Sequence, residues 1–418
     1  MKVGVVTFGT RGDVQPFLAL TLALRRAGHD AVLAGPMDFR GIAEQYEAPY
    51  AALSRDARQV AEMPGLKEYC ESGRLGGFRA GLRQMMLDLD KLNYEVWELS
   101  RDWEAMIFKL GPPSAAASIA EKRGIPAIEV ALAPLEASRE FPPLFTGWKR
   151  SRRPILNRLL GEVILQGYRR SLTQWENRFR GEVLGMARRS VFGSYRKLLA
   201  HPTLYAFSPT LLAKPSDWRS DAHVVGFFFL DEPPGWEPPS ELCRFLQAGP
   251  PPVYVGFGSM PAKDPEQKTR VVLEGVRLSG QRALLRPGWS DLGAGVRLPE
   301  HVFLAAELPD SWLFGRMAAV VHHAGAGTTA AALRVGVPTI CVPHNFDQPF
   351  WAQRARELGV TGEPILARQL SAERVASAIT ATVNDRAMRV RAESVRAEIL
   401  AEDGLGRAVE LFNGYAER

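Results

Sequence analysis

Each half of the sequence opens with a short apolar strand, a glycine-containing loop and a helix. In the first half, the apolar run Lys2–Phe8 leads into Gly-Thr-Arg-Gly-Asp at residues 9–13 and then into the helical pattern of Val14–Ala27. In the second half, Val253–Phe257 ends in Gly258-Ser259. This order of elements is typical of the start of a doubly wound α/β sheet. The sequence therefore predicts an α/β fold in which the arrangement occurs twice.

A proline-rich segment separates the two halves. Residues 230–240 contain four prolines and a glycine, a composition that excludes a helix or a central strand. The chain of 418 residues is also longer than a single core usually supports. We therefore predict an N-terminal domain at 1–229, a linker at 230–240 and a C-terminal domain at 241–418. The charged, amphipathic tail predicts closing helices, and the last of them is a candidate to cross back to the first domain.

The composition narrows the class of protein and of partner. No apolar run approaches the roughly 20 residues that span a bilayer, and the N-terminus lacks the pattern of a signal peptide. Three widely separated cysteines argue against a disulfide framework or a zinc site and favour a reducing cytoplasm. The net charge of +6 comes without a recognisable nucleic-acid-binding module. It fits a small anionic ligand or a loose attraction to anionic lipid equally well.

The segment His322–Leu333 carries the strongest functional signal. It reads His-His-Ala-Gly-Ala-Gly-Thr-Thr-Ala-Ala-Ala-Leu, follows a predicted strand and runs directly into an alanine-rich helix. Two glycines let the backbone turn tightly and approach a ligand, and a helix N-terminus with threonine hydroxyls suits an anion. A histidine just before the turn can donate a hydrogen bond to a phosphate oxygen. A plain strand–helix turn needs only one glycine, so the segment predicts a phosphate site.

Two further polar groups follow predicted strands at their carboxyl ends, where ligands bind in open α/β sheets. Asp347-Gln348 can hold adjacent sugar hydroxyls because the pair supplies acceptors and donors together, although alone it is more simply a solvated loop. Asp13 follows the first strand in the same way. It is either the N-cap of the next helix or a general base, and the sequence leaves both interpretations open.

These motifs resemble those of a known enzyme family. Gly-Thr-Arg-Gly-Asp-Val-Gln-Pro at 9–16 resembles the start of the sterol glucosyltransferases and of the glycopeptide-antibiotic glycosyltransferases. The run at 322–329, followed by Gly336-Val337-Pro338 and Phe346-Asp347-Gln348, resembles their nucleotide-sugar site. Both groups belong to glycosyltransferase family one. The resemblance implies the GT-B fold, in which two Rossmann-like domains face each other across a cleft.

The resemblance also implies a role for each matching residue. Asp13 matches the catalytic base, and His323 matches the histidine that contacts the donor diphosphate. Asp347 and Gln348 match the pair that holds the sugar. The segment Glu307–Phe314 matches the stretch that flanks the nucleotide base. The other predicted donor-binding residues come from the same loops and are Thr10, Gly12, Gly258, Ser259, Ala306, Leu308, Gly325, Gly327 and Thr328.

The sequence departs from the family pattern at two positions. Asp310 stands where the base-flanking stretch usually carries a histidine, which leaves the choice between uridine and thymidine open. Ala324 stands where a glycine is more often found after the second histidine. Neither departure removes a phosphate contact.

The acceptor side is predicted from composition. Residues at roughly 55–110, which we expect to be helical, and at 140–200 are apolar and aromatic. They predict a pocket for a lipophilic sterol, polyketide, macrolide or aromatic compound. Aromatic residues in helices are more often core residues, so a core role stays open as well. The predicted acceptor-binding residues are Met85, Trp97, Phe145 and Trp148.

Two other motifs are rejected. Asp88-Leu89-Asp90 resembles a metal-binding DxD, but it lies in a helical pattern, where residues i and i+2 do not share a face. Gly325-Ala326-Gly327 resembles part of a dinucleotide fingerprint, but the paired histidines before it are foreign to that pattern.

Together these features predict an inverting, metal-independent hexosyltransferase that uses a UDP- or dTDP-sugar, binds no cofactor and acts in natural-product glycosylation such as antibiotic biosynthesis. Its predicted partners are the nucleotide sugar and the acceptor, without nucleic acid or an integral membrane segment and with room for peripheral membrane contact. Two rivals stay open: a nucleotide-sugar epimerase or hydrolase on the same scaffold, and a catalytically silent nucleotide-binding accessory protein.

Overall fold

The computed structural model of the chain describes residues 1–62, 90–109, 111, 115–144, 153–190 and 201–417. These residues form two compact units. The first contains the described residues up to 230 together with 402–417, and the second contains 231–401. Each unit holds one parallel β-sheet, which confirms the predicted α/β class.

The first sheet has seven strands in the order β3-β2-β1-β4-β5-β6-β7. Its central strands are buried on both faces, as parallel strands in α/β proteins are; Val3, Val5 and Val6 have no exposed surface. The strands are β1 (Lys2–Val6), β2 (Asp30–Pro36), β3 (Tyr50–Leu53), β4 (Ala105–Lys109), β5 (Ala127–Ala131), β6 (Thr203–Tyr205) and β7 (Ala222–Val224). The helices before residue 230 are α1 (Arg11–Arg26), α2 (Arg40–Gln45), α3 (Ala57–Ala61), α4 (Ala116–Arg123) and α5 (Pro154–Glu182), and residues 90–99 are also helical.

The second sheet has five strands in the order β10-β9-β8-β11-β12. Its strands are β8 (Val253–Gly256), β9 (Ala283–Arg286), β10 (Val302–Leu304), β11 (Ala319–His322) and β12 (Thr339–Cys341). The helices of this unit are α6 (Ser240–Gln247), α7 (Pro265–Ser279), α8 (Asp310–Phe314), α9 (Ala326–Arg334), α10 (Gln348–Glu357), α11 (Ala372–Asn384) and α12 (Arg386–Ala401). Valines of β8 and β11 form the centre of the core with Val272 and Val276 of α7.

The proline-rich segment packs against the second unit. Asp231 forms an ion pair with Arg334 at 2.6 Å, and Ser311 donates a hydrogen bond to Glu232 at 3.0 Å. The ring of Trp236 contacts the ring of Trp312. Residues 231–239 are therefore held by side chains of α8 and α9.

The last helix, α13 (Gly404–Ala416), belongs to the first unit. The Nε2 atom of His29 lies 2.9 Å from Oδ1 of Asn413, and Nε2 of His223 lies 2.9 Å from the hydroxyl of Tyr415. Glu402, just before α13, accepts a hydrogen bond from Ser208 at 2.6 Å. The chain thus returns to the first unit after residue 401.

The expectation that residues 55–110 are helical throughout is wrong for Ala105–Lys109, which form the inner strand β4. This Ala-Met-Ile-Phe-Lys run is short, and its first three residues have no exposed surface. Periodicity cannot separate a short, fully buried strand from a buried helix segment, since neither alternates between apolar and polar residues. The last residue of β4, Lys109, lies beside the loop that follows β1.

A close approach at Gly4 gives a test of the core beneath that loop. A Cβ atom at Gly4 of β1 would lie 2.0 Å from the ring of Trp103, which is itself buried. Gly4→Ala should therefore destabilise the protein by about 1–3 kcal/mol through overpacking. Gly41→Ala is the matched control, because Gly41 lies in α2 with nothing within 4 Å of the added atom. Denaturant unfolding that gives equal stabilities for the two variants would contradict this description of the core.

Candidate functional site

The register of the second sheet brings three predicted loops together. Gly256 of β8 pairs with His322 of β11, and His322 pairs with Cys341 of β12. The three parallel strands therefore end at the same level, and the loops after them emerge side by side. The strand order also reverses between β8 and β11, which is the position where open α/β sheets bind ligands.

The two histidines after β11 have different environments. His322 is fully buried, its Nδ1 atom accepts a hydrogen bond from the Ala324 N–H at 3.1 Å, and its Nε2 atom lies 3.9 Å from Sγ of Cys341. Burial lowers its pKa to about 3. An accepting Nδ1 requires an unprotonated nitrogen, so the geometry and the lowered pKa agree. His322 is therefore a neutral core residue.

The His323 ring lies between two glycines. A Cβ atom at Gly258 would lie 2.6 Å from its Cε1 atom, and one at Gly325 would lie 2.4 Å from its Nε2 atom. Burial, and next the charge of Lys268, lowers the pKa of His323 to about 4. Its Nδ1 atom is buried and has no hydrogen-bond partner among the described residues. The predicted phosphate contact is thus an uncharged imidazole with an unpaired ring nitrogen, held in a space that only glycines leave open.

Ala324 adopts a left-handed conformation, with φ of 61°. An L-residue with a Cβ atom pays roughly 1–2 kcal/mol there, whereas glycine does not. This cost explains why glycine is more usual after the second histidine. The turn is nevertheless formed, because the Ala324 N–H is bonded to the His322 ring.

The N-terminus of α9 supplies the predicted anion donors. Gly325 is its N-cap and provides no side chain, so the first N–H groups of the helix, at 326–328, point out of the helix without intrahelical partners. The Thr329 hydroxyl donates to the Gly325 carbonyl at 2.9 Å and is used within the turn. The half-buried Thr328 hydroxyl is the threonine donor that this turn leaves for a ligand.

The loop after β12 presents Asp347 and Gln348 on a strained backbone. Phe346 has φ of 58°, an outlier for a bulky residue of the kind found at functional sites. One Asp347 oxygen, Oδ2, accepts a hydrogen bond from Nε1 of Trp351 at 2.7 Å. The buried Gln348 accepts from the His344 N–H at 2.8 Å and donates to Sδ of Met260 at 3.1 Å. Gln348 thus holds the loop, and the Trp351 indole fixes Asp347 beside it.

Two side chains near this loop were missed at the sequence level. Lys268 of α7 places its Nζ atom 3.3 Å from Nε2 of His344 and 4.1 Å from the centre of the Phe257 ring. Burial, followed by the charge of Lys268, lowers the pKa of His344 well below its usual value. Lys268 brings a positive charge to the neutral histidines. A lysine in the first turn of an amphipathic helix carries no sequence signal of this role.

The predicted base-flanking stretch follows β10 at the same edge of the sheet. Leu308 is buried, and its carbonyl accepts from the Arg286 guanidinium at 2.9 Å; Ala306 is exposed. The same guanidinium is paired with Asp310 at 2.6 Å. Asp310, where the family more often has histidine, is therefore one half of a nearly buried ion pair with the last residue of β9.

The first sheet has its own reversal of strand order, between β1 and β4, and Asp13 lies there. Its Oδ2 atom accepts from the Thr10 N–H at 2.8 Å and from the Thr10 hydroxyl at 3.3 Å. Thr10 is the N-cap of α1 and Asp13 is the third helical residue, so the interpretation of Asp13 as the N-cap is wrong; it completes a capping box. Gly12, the other predicted residue of this loop, lies between them on α1.

Asp13 has a partner that the sequence did not reveal. Nζ of Lys109 lies 2.9 Å from Oδ1 of Asp13 and donates to the Phe8 carbonyl at 3.1 Å. Side-chain exposure is only 17% for Lys109 and 25% for Asp13, so this pair is less screened than a surface pair. Lys109 and Thr10 together fix both carboxylate oxygens. The sequence indicates this pair only if residues 105–109 are taken as a strand, because Lys109 then follows the sheet to the same edge as Asp13.

The predicted acceptor residues are described only in part. Trp97 lies under the Arg123 guanidinium, 3.5 Å from the ring centre, and its carbonyl accepts from the same side chain. Both residues belong to the helical segments that lead into β4 and β5, so Trp97 lies at the opposite edge of the sheet from Asp13. Met85, Phe145, Trp148 and the rejected Asp88-Leu89 lie outside the described residues.

Comparison with known proteins assigns the family. The profile described as "Erythromycin biosynthesis protein CIII-like, C-terminal domain" matches residues 290–406. The O-mycaminosyltylonolide 6-deoxyallosyltransferase of Streptomyces fradiae is 34% identical over 436 residues, covering 100% of this chain and 98% of that protein. The chain is a family-one glycosyltransferase. This hexosyltransferase is also 34% identical to a sterol 3-beta-glucosyltransferase of Arabidopsis thaliana, over 99% of its own length and 68% of that of the relative.

Solved structures of glycosyltransferases share the fold. The calicheamicin glycosyltransferase CalG4 aligns over 100% of this chain and 98% of its own, with a TM-score of 0.69 and 18% identity. The glycosyltransferase VinC, solved in complex with dTDP, aligns over 100% of both chains with a TM-score of 0.67 and 20% identity. The GT-B prediction is thereby confirmed.

The described part of the glycosyltransferase contains neither a helix suited to span a membrane nor a cluster of metal-ligating side chains. None of its helices is both long enough and apolar enough to span a membrane. No three His, Cys, Asp or Glu side chains within the described ranges come together as metal ligands would.

The neutral His322 predicts a pH dependence of stability. The pKa of His322 is about 3 in the folded glycosyltransferase and about 6.5 in an unfolded chain, so the unfolded state binds more protons between these values. Stability should therefore fall as the pH is lowered from about 6.5, by up to about 1.4 kcal/mol per pH unit from this residue. His322→Gln should show a shallower fall in denaturant titrations at several pH values. Equal slopes in the two proteins would contradict a neutral buried His322.

The Asp13–Lys109 pair predicts that Lys109 positions the carboxylate. Lys109→Met should lower kcat by about 10- to 100-fold, because displacing a reacting group by about 1 Å costs up to about 10²-fold. Nucleotide-sugar affinity should change much less than kcat, since most of the predicted donor contacts lie in the second unit. Lys109→Arg keeps the charge and should recover part of the loss. A Met variant with wild-type kcat, or one no worse than the Arg variant, would leave Lys109 without this role.

Proposed function

We propose that this glycosyltransferase transfers a hexose from a UDP- or dTDP-sugar to a hydroxyl group of a lipophilic acceptor, with inversion at the anomeric carbon and without a metal ion. The main support for the proposal is that groups suited to the reaction lie at the strand-order reversal of each sheet. A carboxylate fixed by Lys109 and Thr10 lies at the strand-order reversal of the first sheet. Anion donors lie at the corresponding reversal of the second sheet.

In this proposal Asp13 accepts the proton of the acceptor hydroxyl as that oxygen attacks the anomeric carbon. The bond between that carbon and the diphosphate oxygen breaks, and the nucleoside diphosphate leaves. One carboxylate is enough for a single-step inversion, because the diphosphate is already a good leaving group. Thr10 makes two hydrogen bonds to Oδ2 of Asp13, whereas Lys109 makes one contact with Oδ1, so a lone pair of Oδ1 can still accept a proton.

The leaving diphosphate gains negative charge, and the donor loop offers groups that stabilise it. These are the first N–H groups of α9, the Thr328 hydroxyl and an N–H of the His323 ring. Because the pKa of His323 is about 4, its imidazole acts as a neutral donor near pH 7, and Lys268 contributes the local positive charge. In the proposal the Asp347 carboxylate, oriented by Trp351, accepts from hydroxyls of the sugar, and Gln348 holds the loop that presents it.

The nucleotide and the acceptor are proposed by class. VinC was solved with dTDP, which supports a dTDP-sugar. The ion pair with Arg286 fixes Asp310 within the stretch proposed to flank the base. Relatives named for a sterol and for a macrolide support a lipophilic acceptor. Contact with a membrane surface would suit such an acceptor. We place the reaction in the cytoplasm because Cys243 and Cys341 are free thiols, as is usual there.

The two rival functions have less support. A nucleotide-sugar epimerase or hydrolase would turn over the donor without an acceptor, and the relatives reported above are named as transferases. A catalytically silent protein would have no need for a carboxylate anchored on both oxygens.

Incubation of UDP- and dTDP-sugars with a sterol and macrolide panel, read by mass spectrometry, tests transfer directly. The anomeric configuration of the product, read by NMR, tests inversion.

Asp13→Asn separates the base from the helix cap. The amide oxygen of asparagine can still accept from the Thr10 N–H, but the side chain no longer accepts a proton. Turnover should fall by about 10² to 10⁴-fold, the usual contribution of general-base catalysis. Donor affinity should hardly change.

Thermal unfolding and nucleotide-sugar binding of the Asn variant are the controls. Loss of the Lys109 pair should cost at most about 1 kcal/mol in this partly exposed setting. A folded, donor-binding Asn variant that transfers sugar at a near wild-type rate would rule out Asp13 as the base.

Metal independence predicts activity in excess EDTA. The proposed charge stabilisation uses protein donors, so chelation should leave the transfer rate within a factor of about two, far less than the loss of a charge-stabilising donor produces. Initial rates with EDTA, with added Mg²⁺ and with added Mn²⁺ provide the measurement. Activity that disappears with the chelator and returns with either ion would overturn this part of the mechanism.

A further inference from the structure

The first third of α5 exposes an unusual number of large aliphatic side chains. Of the fifteen large hydrophobic side chains that are exposed in the described chain, five lie within nine residues of this helix, so they form a patch instead of isolated surface positions. Ile155 is 70% exposed and Val163 is 68% exposed. The α5 patch consists of Ile155, Leu156, Leu159, Leu160 and Val163.

The patch lies on one face of the helix, and the opposite face fixes the helix to the first unit. Residues 155, 159 and 163 follow each other at intervals of four, and 156 and 160 lie alongside them. On the opposite face, the buried Asn157 donates to the Arg139 carbonyl at 3.2 Å. A Cβ atom at Gly161 would lie 2.8 Å from the Cβ atom of Ala137. The apolar face therefore points away from the unit that holds the helix.

Basic residues flank the patch at both ends. The exposed Arg153 precedes it as the last residue of the sequence Lys-Arg-Ser-Arg-Arg at 149–153, and the exposed Arg170 follows it, preceded in the sequence by Arg169. Arg153 and Arg170 are separated by about 25 Å of helix. Between them, Arg158 is paired with Asp217, and the half-buried Glu162 is the one acidic residue. An apolar face with arginines at its ends is typical of helices that lie in the surface of an anionic bilayer.

The patch lies at the edge of the first sheet that carries Asp13. α5 is preceded by the loop after the carboxyl end of β5, and the first half of the helix packs on Ala137 and Arg139 of that loop. Arg158 also contacts Asp217 in the loop after β6. Both loops follow carboxyl ends of parallel strands, as Asp13 does.

We propose that the α5 patch docks this glycosyltransferase on the surface of an anionic lipid bilayer, from which a membrane-dissolved acceptor is taken. The source of the acceptor rests on the proposed function, whereas docking itself does not. Charge complementarity favours lipid over a second copy of the chain, because two copies paired through this face would bring like-charged arginines together. Docking along α5 would hold the membrane at the sheet edge where Asp13 is found.

Vesicle sedimentation tests the proposal with a closely matched pair of variants. Val163→Glu places a charge in the patch, and Val390→Glu places the same charge at an equally exposed valine, 69%, on α12 of the second unit. Wild type and Val390→Glu should bind vesicles of phosphatidylcholine mixed with phosphatidylglycerol, and bind less to pure phosphatidylcholine. Val163→Glu should lose at least about 10-fold in affinity for the mixed vesicles, since it removes an apolar side chain that docking would bury and adds a charge that the anionic surface repels.

The results of these experiments distinguish docking on lipid from a role in catalysis and from coverage of the patch by a second copy of the chain. Asp13→Asn should bind vesicles like wild type even though its turnover is expected to fall steeply, so a failure of the proposed function leaves docking measurable. Equal vesicle binding by the two valine variants, or no binding by wild type, would overturn the proposal. A wild-type dimer that Val163→Glu converts to a monomer in sedimentation velocity would assign the patch to a second copy. Loss of transfer by Val163→Glu to a water-soluble acceptor without vesicles would instead assign it to the acceptor pocket.

Discussion

The parallel register of the strands sets the position of every candidate residue. In the second sheet, the pairing of Gly256, His322 and Cys341 in one row makes three loops emerge at the same level. In the first sheet, pairing of Val6 with Phe108 brings the loop after β1 beside Lys109. Side chains that are about 100 residues apart in the chain are brought together because both sheets reverse their strand order at these points. A shift of register by one residue would move the loops and turn the side chains to the other face.

Burial then determines the charge that each site carries. At and just after the carboxyl ends of β11 and β12, His322, His323 and His344 all have lowered pKa values, chiefly because burial disfavours the charged form of each ring. Their hydrogen-bonding capacity is therefore kept without a fixed positive charge. The nearby ammonium of Lys268 and the unpaired N–H groups of α9 supply positive potential instead. In the first unit, Asp13 and Lys109 remain partly exposed and balance each other's charge.

The loops after β11 and β12 each contain a residue with a strained backbone. Ala324 and Phe346 both have a left-handed backbone, at the two turns that present His323 and Asp347. Such conformations persist only where the surrounding structure holds them, and they are concentrated at functional sites. Here the hydrogen bond to the His322 ring and the contacts of Gln348 hold the two turns. The exposed patch of α5 departs from ordinary packing in a different way. Its apolar side chains contact water, and the free energy falls only when another surface covers them.

The sequence by itself determined the α/β class, the position of the proline-rich segment and the family, and it predicted a phosphate site at residues 322–329. These features are local: a strand that runs into a glycine turn and a helix keeps its signature within about a dozen residues. Tertiary structure decided what depends on distant residues. It turned Ala105–Lys109 into a central strand, paired Lys109 with Asp13, used Gln348 to hold its own loop and placed Trp97 at the far edge of the sheet. No pattern along the chain contains these outcomes, because burial and ion pairing depend on which elements pack together.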